Sequence, residues 1–349
     1  MRKRYAAPCA DARFNGMSAH AASSTGTLIP AAAAGEAPAP WQPGAPAAYG
    51  PSGRSAWLEV DWRSHQRWVD VAGEAVNVID LGPAGGAAER RAQPQPLVFV
   101  HGLSGSWPNW LEQLPVFAAT RRVLTLDLPG FGHSPMPSRP ITVAGYARLL
   151  DRLLGQLGVD AAAVVGNSMG GFISAELAIS FPQRVERLVL VSAAGISTTA
   201  NPTVTRALPA LRRTETVLAA TGAWVAAHSD AAARRPRLRR ALLDLVVAHP
   251  GRLPAPLAAE QVRGAGKPGF MQALQSILDY DFRERLPEIA CPTLVVWGER
   301  DRLVPLRDAD VFVELIPNAR KVIFEDTGHM AMLERPAAFN ALLEGFLEE

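Results

Sequence analysis

From Trp57 onward, short unbroken apolar runs alternate with longer stretches in which apolar positions recur every three to four residues. Residues 97–100, 122–127, 161–165, 188–191, 293–297 and 321–324 form the short runs. They are too brief for core helices and too continuous for strands wetted on one face, so they predict a parallel sheet covered on both sides. Residues 68–71 and 75–80, separated by Ala72-Gly73-Glu74, predict an antiparallel hairpin at one sheet edge. Apolar spacing near 3.6 over 146–157 and 309–315 predicts helices between the strands. The expected class is α/β: a mostly parallel, eight-stranded sheet flanked by helices.

One stretch breaks the alternation. Residues 197–287 hold no strand pattern and read as short helices punctuated by Pro and Gly. A loop of that length is foreign to a compact domain. The segment is therefore expected to be a helical cap, or lid, inserted between strands six and seven of a core made from 56–196 and 288–349. Residues 1–55 differ again. From Ala31 to Gly50, sixteen of twenty positions are Ala, Pro or Gly, too little side chain to offset the entropy of ordering, and a disordered extension is expected.

Composition narrows the partners. A formal net charge of +2 gives no footprint for nucleic acid. No apolar run reaches membrane-span length, and Pro8, Cys9, Asp11 and Arg13 interrupt the apolar stretch that a signal peptide would need after Met1-Arg2-Lys3-Arg4. With only Cys9 and Cys291, a structural disulfide is not expected, and a cytoplasmic, reducing location fits. His228 and His249 lack companions at metal-binding spacing, and no phosphate-binding glycine loop appears, so neither metal nor cofactor is expected. Oligomeric state is not legible.

The chemistry concentrates in Gly166-Asn167-Ser168-Met169-Gly170, a G-x-S-x-G pattern between a predicted strand and a predicted helix. A serine hydroxyl is a weak nucleophile until a base takes its proton and a carboxylate orients that base. In open α/β sheets such groups gather at the carboxyl ends of strands. Asp301 follows the strand at 293–297, and His329 follows the strand at 321–324. Each has a plainer reading: Ser168 as a helix cap, Glu299 in place of Asp301, His329 as a structural histidine. No acid falls within Val191-Ser192-Ala193-Ala194-Gly195.

With Val100-His101-Gly102, Asp127-Leu128-Pro129-Gly130-Phe131-Gly132-His133-Ser134, Gly298 to Pro305, and Gly328-His329 through Glu334-Arg335-Pro336, the chain from about residue 60 resembles the α/β-hydrolase fold superfamily. The resemblance is to its serine branch with a helical cap. It implies Ser168 as nucleophile, His329 as general base and then acid, Asp301 as the orienting carboxylate, and the backbone N–H groups of Leu103 and Met169 as oxyanion hole. His101 and His133 then orient loops, and Asp127 ties its own turn. Serine at 168, where dehalogenases and epoxide hydrolases of the superfamily carry Asp, implies acyl transfer from an ester, thioester or amide, or from a C–C bond beside a carbonyl, with water as the usual acceptor. Hydrolysis of a small apolar carboxylic ester is the leading expectation. Three alternatives stand beside it: a C–C hydrolase of ring-fission products, a cofactor-free perhydrolase, and a non-catalytic binding protein. C–C enzymes of that kind commonly carry Trp where this chain has Met330, and need a cation that the Arg234–Arg240 run could supply. Pocket walls are expected from Trp107, Trp110, Trp224 and Met330. Further apolar candidates in the cap are Leu242, Leu245, Val246, Phe270, Met271 and Leu274.

Overall fold

Strand alternation divides the apolar residues between two cores, one on each face of a single sheet. Val98 and Val100 join Leu124, Leu126, Val164, Leu188, Leu190, Val295 and Trp297 on one side. Leu97 and Phe99 join Val123, Val165, Val189, Val191, Leu294 and Val296 on the other. Successive side chains on a strand point to opposite faces, so an unbroken apolar run feeds both cores at once. That is the physical content of the short apolar runs.

The architecture comes from a computed structural model that describes residues 47–51, 53–83, 94–197, 209, 213 and 215–349. Its strands are β1 (Gln66–Val71), β2 (Glu74–Leu81), β3 (Leu97–Val100), β4 (Val123–Leu126), β5 (Ala162–Asn167), β6 (Val185–Val191), β7 (Thr293–Gly298) and β8 (Ala319–Phe324). They form one sheet in the order β1-β2-β4-β3-β5-β6-β7-β8. The pairs β1–β2 and β2–β4 are antiparallel and the remaining neighbours are parallel. This is the α/β-hydrolase fold with the expected eight-stranded, mostly parallel sheet. Helices such as Val143–Gln156, Met169–Ser180, Arg307–Leu315 and Pro336–Glu348 flank it.

Between β6 and β7 the described elements are all helical, from Glu215–Ala227 through Phe270–Asp279. Among the described residues no helix is long and apolar enough to cross a membrane.

Most of the expected extension, residues 1–46, lies outside the described residues, as does Cys9. Residues 47–51 and 53–55 correct that expectation, because they dock. The Tyr49 hydroxyl donates to Glu334 at 2.8 Å and the Gly50 N–H donates to the Glu334 carbonyl at 2.7 Å. Ser55 Oγ donates to Glu112 at 2.7 Å. Composition hid this, because a few directional bonds anchor a segment that has little apolar surface of its own.

Candidate active site

β5 runs into the Met169–Ser180 helix with one residue, Ser168, between them. Its φ of 55° and ψ of −119° lie where side-chain-bearing residues are rarely found, a cost of roughly 1–3 kcal/mol. The neighbouring packing leaves it no choice. The Ser168 N–H donates to the Val191 carbonyl, and its own carbonyl accepts from Phe172 and Ala194. A Cβ at Gly166 would sit 2.3 Å from the Gly170 carbonyl oxygen, and one at Gly170 would sit 2.2 Å from that of Val100. Only hydrogen fits at either position, and that lets strand and helix close up around the serine.

Asp301 and His329 arrive from the ends of β7 and β8. Asp301 Oδ1 accepts from the N–H groups of Leu303 and Val304 at 2.8 and 2.9 Å, which fixes the carboxylate. Oδ2 lies 2.8 Å from His329 Nδ1. Burial works to raise the Asp301 carboxyl. The charge and hydrogen bond of His329, with the two backbone donors, outweigh it and hold the group below the usual range. An ionised carboxylate only accepts, so Nδ1 carries a proton, and in the neutral ring it is Nε2 that offers the lone pair. Nε2 is buried and makes no hydrogen bond among the described residues, and His329 and Ser168 line one cavity. Glu299, the rival acid, is spent elsewhere, accepting from the Asp326 N–H at 3.1 Å.

The loop after β3 is set by a histidine. His101 Nε2 accepts from the Leu128 N–H at 3.0 Å, so Nδ1 is the protonated nitrogen and donates to the Gly102 carbonyl at 2.8 Å. Burial, opposed by Asp127 and the Gly102 bond, lowers the His101 pKa and keeps the ring neutral. In a trans peptide the C=O and the next N–H point oppositely, so this bond turns the Leu103 N–H away from His101. A Cβ on Gly102 would lie 3.0 Å from that of Ser168, so the loop abuts the serine. Met169 opens the helix, and its N–H has no acceptor within that helix. Asp127 gathers the loops behind, accepting from Trp107 N–H, His133 N–H and Asn77 Nδ2 at 2.8–2.9 Å.

The cavity over Ser168 measures about 270 Å³. Leu103, Val225, Leu242, Val246, Val262 and Leu303 give it apolar walls. Asn109 and Gln261 supply polar atoms but bind each other at 2.6 Å. Among the described residues no Arg or Lys lines it.

Of the pocket candidates, Met330, Leu242 and Val246 line the cavity, and the three tryptophans do not. Trp110 is fully buried, its ring tilted against Phe99 with centroids 4.7 Å apart. The short Trp107–Trp110 helix turns it into the core, and the Trp107 ring packs on Trp62. Trp224 is 63% exposed beside His228. Leu245 is exposed too, whereas Phe270, Met271 and Leu274 pack together in a cluster of their own. Of the arginine run, Arg239 is buried against the carbonyls of Leu253 and Gly251, and the other arginines are exposed. The cap residues Val225, Gln261, Val262 and Ala265 went unnoticed, since nothing in a helical apolar pattern marks which face meets a cavity.

A sequence model of the alpha/beta hydrolase fold matches residues 95–336. The chain is 30% identical over 298 residues to the dihydrolipoyllysine-residue acetyltransferase component of the acetoin cleaving system of Cupriavidus necator, covering 83% of this chain and 71% of that protein. It is 30% identical over 273 residues to 2-hydroxymuconate semialdehyde hydrolase of Pseudomonas sp. (strain CF600), covering 73% of this chain and 87% of the relative. A solved membrane phospholipase A superimposes with a TM-score of 0.63 at 27% identity, over 81% of this chain and 85% of that one.

Proposed function

The chain belongs to the α/β-hydrolase fold family, and from that premise we propose that it is a serine hydrolase of small apolar carboxylic esters. Ser168 Oγ attacks the ester carbonyl while His329 Nε2 takes its proton. Negative charge gathers on the carbonyl oxygen, where the N–H groups of Leu103 and Met169 receive it. A comparable oxyanion donor is worth roughly 2.7–4 kcal/mol of barrier. The imidazolium then protonates the leaving alkoxide, and Asp301 holds the ring in the tautomer that makes both transfers possible. Water, deprotonated by the same nitrogen, attacks the acyl-serine and restores the site.

The observation that carries the ester reading is the cavity's lining, apolar walls and, among the described residues, no Arg or Lys around Ser168. The names of relatives such as the 2-hydroxymuconate semialdehyde hydrolase favour a second reading, cleavage of a C–C bond beside a carbonyl. A substrate of that kind brings a carboxylate. Burying one without a partner costs several kcal/mol, and the exposed arginines of the cap do not offer one inside the cavity.

Activity on matched ester and dienone panels tests the choice, with fluorophosphonate labelling as the active-site count. Turnover of p-nitrophenyl esters of short and medium acyl chains is expected, with labelling and turnover both lost in Ser168→Ala. Faster turnover of dienones than of every ester would establish the second reading. Folded protein that neither labels nor turns over any panel member would remove both.

A further inference from the structure

The loop that carries His329 is not held by the core alone. Three stretches far apart in the chain meet at one buried carboxylate, Glu334, five residues past the histidine and fully buried. Its Oε1 accepts from the Gly328 N–H at 2.9 Å. Its Oε2 accepts from the Ala248 N–H of the cap at 2.9 Å and from the Tyr49 hydroxyl at 2.8 Å. The same Tyr49 hydroxyl accepts from the His249 N–H at 3.0 Å. The His329 N–H itself donates to the cap carbonyl of Val246 at 3.1 Å.

Tyr49 thus touches both partners of this junction from the segment that precedes the core. Its ring lies between two guanidinium groups, Arg335 from the histidine loop at 4.8 Å and Arg252 from the cap at 4.5 Å. Arg335 also donates to the Ala47 carbonyl at 2.7 Å, and His249 Nε2 reaches Asp326 at 2.8 Å. A buried carboxylate is stable as an ion only while its donors stay in place. Removing the Tyr49 hydroxyl takes one donor from Glu334 and leaves the His249 N–H without an acceptor.

We propose that Tyr49 is a positioning residue. The segment before the core straps the cap to the histidine loop and thereby holds His329 in register with Ser168. The inference rests on the reading of His329 as base. It predicts that catalysis depends on a residue from the segment preceding the sheet, outside the cavity and touching no substrate. The coupling is mechanical. Glu334 fixes Gly328 on one side and Ala248 on the other, so freedom gained at 248–249 is passed to the peptide that carries His329.

The test compares full-length Tyr49→Phe, which keeps the ring and both guanidinium contacts, with Tyr49→Ala, which removes them. In Tyr49→Phe, kcat for p-nitrophenyl butyrate, counted per fluorophosphonate-labelled serine, is expected to fall about tenfold while KM stays within about twofold. Amide hydrogen exchange at Ala248, His249 and His329 should quicken, and Tyr49→Ala should extend both effects. A purely structural role would lower the melting temperature and leave kcat per labelled site unchanged, which would overturn the proposal. So would unchanged exchange at His329 in Tyr49→Phe. The exchange arm needs no turnover, so it decides the strap even for a protein that hydrolyses no ester.

Discussion

The floor of the cavity and its roof are built by different physics. Ser168, Asp301 and His329 follow β5, β7 and β8, strands whose ladders fix register and therefore fix where each chain end emerges. Val225, Leu242 and Val262 descend from cap helices, and Val246 from the turn after one, and none of these shares a ladder with the sheet. A floor residue is placed by backbone hydrogen bonds. A roof residue is placed by the rotation and packing of its helix, and a turn of about 100° per residue exchanges cavity for solvent. The floor should therefore respond to single changes with large, chemistry-specific losses. The roof should respond with small shifts in substrate preference.

The largest floor effect after loss of Ser168 itself is expected at Asp301. Asp301→Asn keeps the shape but offers His329 Nδ1 an amide in place of a carboxylate. The tautomer is then no longer imposed, and kcat should fall about 10⁴-fold at an unchanged fold. The same substitution has a pH signature. The folded-state pKa of Asp301 is depressed, so its contribution to stability is complete above the ordinary value of 3.8 and is lost as the pH falls through the lower folded value. Urea midpoints measured from pH 6 downward should show a shallower acid loss in Asp301→Asn than in the parent. Parallel acid limbs would mean that the carboxylate is not held as described.

Next in size is Gly170→Ala. The added methyl would meet the carbonyl oxygens of Val100 and His101 at 2.2 and 2.6 Å, both backbone and both unable to yield cheaply. Overpacking of this kind is expected to cost about 3 kcal/mol. A shift in the urea midpoint with unchanged slope would register it. A neutral result would show that β5 and its helix stand farther apart than the elbow requires.

This contrast also explains what could be read before any coordinates. Apolar runs bounded by turn residues located all eight strands, and the strand ends then located Asp301 and His329. Distance along the chain from a strand end is a good measure of distance from the chemistry. The same logic failed for Trp107 and Trp110. They lie just past the loop after β3 in sequence, yet a short helix rolls Trp110 into the core against Phe99 and sets the half-buried Trp107 on Trp62. Tyr49 was lost for a different reason. Its segment looks structureless by composition, and its anchors at residues 248, 249 and 334 are invisible without the third dimension.

The roof gives a subtler test. Leu242 faces the cavity from the Pro236–Leu243 helix and is only partly buried. Leu242→Ala should therefore widen the acyl space at little cost in stability. The ratio of kcat/KM for long over short acyl esters is expected to rise about tenfold, the scale of a few methylenes in an apolar pocket. A uniform fall across the series would instead place Leu242 in a packing role.

The smallest effect is the most discriminating for the roof. Trp224 and Val225 are adjacent on the Glu215–Ala227 helix, yet Val225 lines the cavity and Trp224 is 63% exposed. Removing a large indole is ordinarily among the most damaging changes, at about 3–5 kcal/mol in a core. Here Trp224→Ala is expected to change stability by no more than about 0.5 kcal/mol and to leave ester preference intact. Val225→Ala, though it deletes far fewer atoms, should be the one that alters acyl preference. If the two results were exchanged, the helix would be rotated by about one residue from the orientation described. The roof would then present Trp224 to the substrate, while Ser168, Asp301 and His329 stayed where the strand ladders put them.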